Sequence, residues 1–302
     1  MVYQAILSVL TNSNDGSIHR FAHRLIDVFS QLSKLNPIKQ KRPTLAIKAM
    51  GLSFNNPVGL AAGFDRTAKF LPYAKFIGFG FVEIGTININ TTKILDDSIA
   101  TTLRNLKKAA KHKHATQWGI SLGSLRNKLD QQTADDYNKG MDLFWHYADY
   151  LVINLSRPES DARALKPDRY ELDLFLANIQ HHHQHLSEQR QQTVPLVAKL
   201  AVDYQQTENT TRTIALLKQR GFSGVILAFE NWPDIQQTAD FIKKLKAEYK
   251  GFSLIAVGGI RSTQDCQQLI AAGASLVQIY TSLVQQGPLQ TKQMIAKLIK
   301  QV

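Results

Sequence analysis

Cysteine is almost missing from this chain: Cys266 is the single one among 302 residues. A lone thiol excludes an internal disulfide and any zinc site built on several cysteines, and it fits a reducing compartment. Also missing is any run of about 18 apolar residues, the length a membrane-crossing helix needs. The first residues lack a basic stretch followed by a long apolar one, so no secretory signal is expected and the chain reads as cytoplasmic. No helix-turn-helix pattern, zinc knuckle or aromatic-rich ribonucleoprotein motif occurs, so nucleic acid is not the expected partner. The formal net charge of +12 therefore points to anionic lipid or to an acidic ligand. Its lysines and arginines are scattered, with local clusters at 39–42 and 107–114.

What is present divides into a short leader and a long body. Residues 17–35 read as an amphipathic helix, with Ile18, Phe21, Leu25, Val28, Phe29, Leu32 and Leu35 spaced to share one face. His19, Arg20, His23 and Arg24 sit at its start, after a shorter apolar stretch at 2–10. Such a pair suits a membrane interface, which would place the protein at the inner face of a membrane. A helical hairpin packed on the body fits the same pattern. Leu35-Asn36-Pro37 stops the helix, giving a leader of 1–36 and a body of 37–302.

The body repeats one rhythm of apolar run, polar turn and helical pattern. Eight runs of strand type cover 57–62, 81–86, 118–122, 150–155, 195–200, 224–229, 254–257 and 276–280. Each is almost continuously apolar, as parallel strands covered on both faces are. Helical patterns lie between them, for example Thr207–Gln219 and Thr263–Ala272. Eight alternations with no GxGxxG after the first run favour a (β/α)₈ TIM barrel over an open doubly wound sheet. In such a barrel the residues to read for chemistry are those just after each strand. Gly258-Gly259 closes the seventh run and would let the backbone approach an anion, with unpaired N–H groups expected at the next helix start. Lys199, ending an apolar run, calls for an anionic or electron-rich neighbour. Glu83 reads either as an ion-pair partner of the Asp65-Arg66 stretch at the mouth or as a polar residue inside the barrel. The tract His181, His182, His183 and His185 reads as a solvated helix face, and no metal site is expected.

Five segments then resemble one family. Met50 to Asp65, Gly78 to Thr86, Ile153-Asn154-Leu155-Ser156, Ala256 to Ile260 and Gly273 to Thr281 are each similar to a motif of the class 2, membrane-associated, quinone-dependent dihydroorotate dehydrogenases, in the same order. The resemblance implies FMN contacts at Ala62, Gly63, Thr86, Asn154 and Lys199, with the phosphate near Gly258, Gly259, Tyr280 and Thr281. It also implies oxidation of dihydroorotate in pyrimidine biosynthesis, with electrons passed to a quinone.

The substrate positions depart from that pattern. Arg157 stands where the family has its serine base, and a guanidinium stays protonated at physiological pH. Glu159 replaces an asparagine, Ala228-Phe229-Glu230 replaces Thr-Asn-Thr, Ser121 replaces an asparagine and Arg66 replaces the substrate lysine. The segment carrying the orotate-gripping asparagines is replaced by Asn88–Gln117, and the Gly-rich loop after the sixth strand is missing. The expectation is a family barrel that has lost dihydroorotate oxidation and binds an anionic small molecule, at Arg66 and Arg157, or a protein partner. The alternative is an FMN-dependent oxidoreductase with a changed substrate or residual activity. The leader generates its own test: the full chain should float with anionic liposomes and the chain lacking 1–36 should not, and equal flotation would exclude the leader as the membrane contact.

Overall fold

The computed structural model describes residues 45–90, 97–111, 116–156, 169–230, 232 and 234–301. The leader, Arg157 and Glu159 lie outside the described residues. Two short strands come first, β1 (Ile47–Ala49) and β2 (Leu52–Phe54), paired antiparallel. Eight parallel strands follow: β3 (Val58–Asp65), β4 (Phe81–Ile89), β5 (Gln117–Ser124), β6 (Tyr150–Asn154), β7 (Leu196–Ala201), β8 (Gly224–Ala228), β9 (Ser253–Val257) and β10 (Leu276–Ile279). They close as a barrel in sequence order, with β10 pairing back onto β3. The helices are α1 (Leu71–Ile77), α2 (Asp97–Ala110), α3 (Gln131–Phe144), α4 (Arg169–Arg190), α5 (Thr207–Gln219), α6 (Ile235–Glu248), α7 (Thr263–Ala272) and α8 (Thr281–Gln301). This is a (β/α)₈ barrel, and every expected strand run falls on one of β3 to β10.

Strand ends and helix starts follow local chemistry. Asp130 and Asp234 cap α3 and α6 by accepting from Thr133 N and Gln237 N, at 2.9 and 2.8 Å. Such caps satisfy donors that a helix start leaves without partners, each worth about 1 kcal/mol. The expected boundaries of α5 and α7 coincide with the observed ones.

The β1–β2 hairpin adds to the sequence reading, in which no strand was expected before the run at 57–62. Its turn is Met50-Gly51, both with positive φ (53° and 75°). Methionine gives no turn signal, so only Gly51 hinted at the reversal. The hairpin plugs the amino-terminal end of the barrel: Met50 N donates to Ser253 Oγ at 3.0 Å, and Phe54 packs edge-on against Phe81 with centroids 5.5 Å apart. Phe81 in turn meets Tyr150 edge-on. These rings fit inside because their neighbours are glycines. A Cβ on Gly59 would lie 2.3 Å from the Phe81 ring, and one on Gly119 would lie 2.1 Å from the Tyr150 ring.

Phe54 is buried, so truncating it leaves a hole at the barrel floor. Phe54→Ala is expected to cost about 3–5 kcal/mol in urea unfolding without changing the barrel. A loss below about 1 kcal/mol would show that the hairpin is not integral to the core.

Candidate functional site at the barrel mouth

The carboxyl ends of β3 to β10 face away from the hairpin plug. Of the expected cofactor residues, Ala62, Gly63, Thr86 and Gly258 are partly exposed and Gly259 is exposed, whereas Asn154 and Lys199 are buried. Gly63 has φ 103°, and a Cβ there would find only Tyr280 Cε2, at 4.0 Å. The Tyr280 ring packs edge-on to Phe64, and burial pushes its hydroxyl up to about 12, with the positive charge of Arg66 opposing. Gly63, Arg66 and Tyr280 thus share one side of the mouth.

On the other side runs a chain of polar groups. Asn154, the last residue of β6, donates through Nδ2 to Thr86 Oγ1 at 2.7 Å, and the Thr86 and Ser121 hydroxyls are 3.2 Å apart. Asn154 Oδ1 accepts from Ser156 N at 3.0 Å and from Ser156 Oγ at 2.8 Å. Tyr137 on α3 donates its hydroxyl to the Asn154 carbonyl at 2.7 Å. Asn154 is therefore held at its side chain and at its backbone, and faces Lys199 across the β6–β7 register. Sequence reasoning singled out Asn154 but missed Tyr137, which lies on a helix with no motif to mark it. Ser156 is buried, and its hydroxyl is committed to Asn154. Such a group is a poor candidate to replace a missing base.

Lys199 is largely buried, inside the barrel below the mouth, and its charge acts on Glu83. Of the two readings of Glu83, the interior one holds: it is fully buried and accepts from Gln278 Nε2 at 2.5 Å. Burial raises the Glu83 carboxyl above the usual range, and Lys199 opposes this.

At the expected phosphate end the two helix starts differ. Ser262 and Asp265 form a capping box on α7, in which Asp265 Oδ2 accepts from Arg261 N at 2.7 Å and from Ser262 N at 2.8 Å. The box thus takes up the Arg261, Ser262 and Asp265 N–H groups, which narrows the expectation of unpaired N–H groups at this helix start. By contrast, α8 begins at Thr281 with no acid in its first turn. Gly258 is demanded by packing, since a Cβ would lie 2.2 Å from the Phe229 carbonyl oxygen, whereas one on Gly259 would meet nothing within 4 Å. The residues present fit FMN at the ring end, around Gly63, Thr86, Asn154 and Lys199. At the phosphate end the fit rests on Gly259, Tyr280 and Thr281.

Of the positions that the resemblance assigns to the substrate, one is a packing residue in this structure. Phe229, just past β8, is buried, with its ring 4.8 Å from Trp232 and 6.4 Å from Phe241. Trp232 is fixed by its Nε1 donating to the Val202 carbonyl at 2.9 Å. Glu230 is exposed. Asn105 on α2 donates to the Thr67 carbonyl at 2.9 Å and so anchors the loop that carries Arg66. The histidine tract needs a correction: His183 is buried and bonds to the Val194 carbonyl at 2.7 Å, and His182 pairs with Asp142 at 2.9 Å. Only His181 and His185 stay on the solvated face. No group of three or more metal-ligating side chains occurs among the described residues. No helix there is long and apolar enough to cross a membrane.

Comparison with known proteins finds the family model described as dihydroorotate dehydrogenase, over residues 88–239 and 233–302. Dihydroorotate dehydrogenase (quinone) of Serratia proteamaculans is 29% identical over 321 residues, covering 91% of this chain and 94% of its own. The protein of the same name from Idiomarina loihiensis is 29% identical over 290 residues, covering 83% and 86%. Among solved structures, DHODH from Eimeria tenella in complex with ferulenol superposes with a TM-score of 0.77 at 22% identity, over 99% of this chain and 93% of that one. At that identity the superposition supports the fold.

Asp65 ends β3 beside Arg66 and is fully buried, accepting from Lys69 N at 2.9 Å and Phe70 N at 2.8 Å. Burial raises its carboxyl to about 6 in spite of those bonds. A carboxyl raised on folding favours the folded state while protonated, and that advantage disappears as pH rises through the folded value. Relative to Asp65→Asn, the wild type should lose on the order of 3 kcal/mol of unfolding free energy between pH 4 and 7, at about 1.4 kcal/mol per unit. A difference that stays flat over that range in urea titrations would show that Asp65 does not titrate there.

Proposed function

Because the chain belongs to the dihydroorotate dehydrogenase family, and its similar relatives carry the quinone-dependent name, we propose that it is a barrel of that family that has given up dihydroorotate oxidation. Its mouth is kept for binding an anionic ligand or a protein partner. The observation that carries this reading is Phe229. By the family resemblance it stands at an asparagine that grips the substrate, and here its ring is buried against Trp232 and Phe241. A phenyl group offers no hydrogen bond to a polar ring, and each such bond to a charged substrate is worth about 1.5–3 kcal/mol. Two further features agree. Arg157 at the base position cannot accept a proton from carbon. The hydroxyl of Ser156, one residue away, donates to Asn154.

FMN remains compatible with the mouth and supports the second reading, an oxidoreductase with another substrate. When bound, FMN would supply two-electron redox chemistry. The chain's part would be to present Lys199 to its electron-rich edge, to hold the Asn154 side-chain amide through Thr86 and Ser156, and to hold its backbone carbonyl through Tyr137. Residues 1–36 are proposed to bring the barrel to an anionic membrane surface, on the pattern of their apolar face.

Protein loaded with FMN is expected to show no dihydroorotate-dependent reduction of a quinone, and the single change Arg157→Ser should not create it. Appreciable turnover by either form would overturn the proposed loss. In fluorescence titrations, Lys199→Ala should weaken uptake of added FMN about 10- to 100-fold, the worth of one charged hydrogen bond. If wild-type protein takes up no FMN, the redox reading falls and the binding reading stands.

A further inference from the structure

Below the mouth, three strands bring polar atoms together on the barrel axis. Glu83 on β4 lies opposite Gly119 on β5, which lies opposite Tyr150 on β6. Gly119 has no side chain, so the Glu83 and Tyr150 side chains share the space above it. A Cβ on Gly119 would lie 2.4 Å from the Tyr150 hydroxyl oxygen. Gln278 on β10 completes the group by donating Nε2 to Glu83 Oε2. The Tyr150 hydroxyl lies beside Gln278 but makes no well-formed hydrogen bond with it. Glu83, Tyr150 and Gln278 are all fully buried.

Three oxygens of this group are left without a partner: Glu83 Oε1, Gln278 Oε1 and the Tyr150 hydroxyl. A buried polar atom with no partner costs about 1–3 kcal/mol, so three in one place is a large burden. With Glu83 ionised in the field of Lys199, turning the amide gives no relief, because it would set a carbonyl oxygen against the carboxylate. The group needs two hydrogens, one for each acceptor, and one lone pair for the phenol. A single water supplies this set, and buried waters make about three bonds of this kind. A monovalent cation fits less well, because Lys199 already places a positive charge near Glu83 and the phenol proton would still lack an acceptor.

We propose that the barrel axis binds one water molecule, held by Glu83 Oε1, Gln278 Oε1 and the hydroxyl of Tyr150. This site does not depend on what the mouth binds. It joins β4, β6 and β10 through one bridging molecule and provides the second oxygen of Glu83 with a partner near Lys199.

The test rests on the sign of one conservative change. If the water is present, Tyr150→Phe removes a bond to it and lowers Tm by about 2–4 °C, the shift expected for about 1 kcal/mol. If it is not, Tyr150→Phe deletes an unpaired buried hydroxyl, and Tm stays level or rises, which overturns the proposal. A high-resolution crystal structure of the wild type should show one ordered density peak within hydrogen-bonding distance of all three oxygens. No peak there, in a map that shows other buried waters, overturns it as well. A rise of Tm in potassium or sodium relative to choline at equal ionic strength would place a metal ion at the site instead and reject water.

Discussion

Closure of the parallel sheet is the constraint from which the rest of the molecule follows. When β10 pairs with β3, every strand loses its free edge and half of its side chains turn into a narrow interior. That interior has to be filled, and it is filled unevenly. Large rings from β4 and β6, Phe81 and Tyr150, occupy the amino-terminal end, and glycines at 59 and 119 make way for them. The β1–β2 hairpin then seals the floor with Phe54 and Met50. Apolar filling at one end leaves the other end free to be polar.

Polarity inside the barrel is organised around two opposite charges. Glu83 is fully buried and Lys199 nearly so. Burial penalises the Glu83 carboxylate, and the charge of Lys199 offsets part of that penalty. Gln278 gives Glu83 a direct hydrogen bond. Nearer the mouth, Asn154, Thr86, Ser121 and Ser156 satisfy one another. A barrel with this much internal polarity has little room for unpaired groups, which is why the three unpaired oxygens around Glu83 stand out.

The mouth sets open backbone beside buried polar groups. Ala62, Gly63 and Thr86 are partly open there, whereas Asn154 and Lys199 are buried. Phe229 belongs to an aromatic cluster with Trp232 and Phe241, and Asn105 anchors the loop that carries Arg66. Both side chains are engaged within the protein. Family membership fixes ancestry and architecture, and chemistry has to be argued from the side chains at the site.

Much of this was legible in one dimension. Continuous apolar runs separated by helical patterns specified eight buried parallel strands, because burial on both faces leaves no polar alternation. The identities of Arg157 and Phe229 specified what those side chains cannot do, since protonation and hydrogen-bonding capacity belong to the residue itself. What the pattern could not specify were relations between distant residues. The hairpin plug turns on Met50, whose positive φ no residue-type signal announces. Asp265 folds back onto the Arg261 and Ser262 N–H groups just ahead of α7, which no motif announced. Glu83 meets Gln278, and His183 reaches the Val194 carbonyl, only because barrel closure and helix packing bring them together. Partnership of that kind is a property of the closed barrel, and only the tertiary structure decided it.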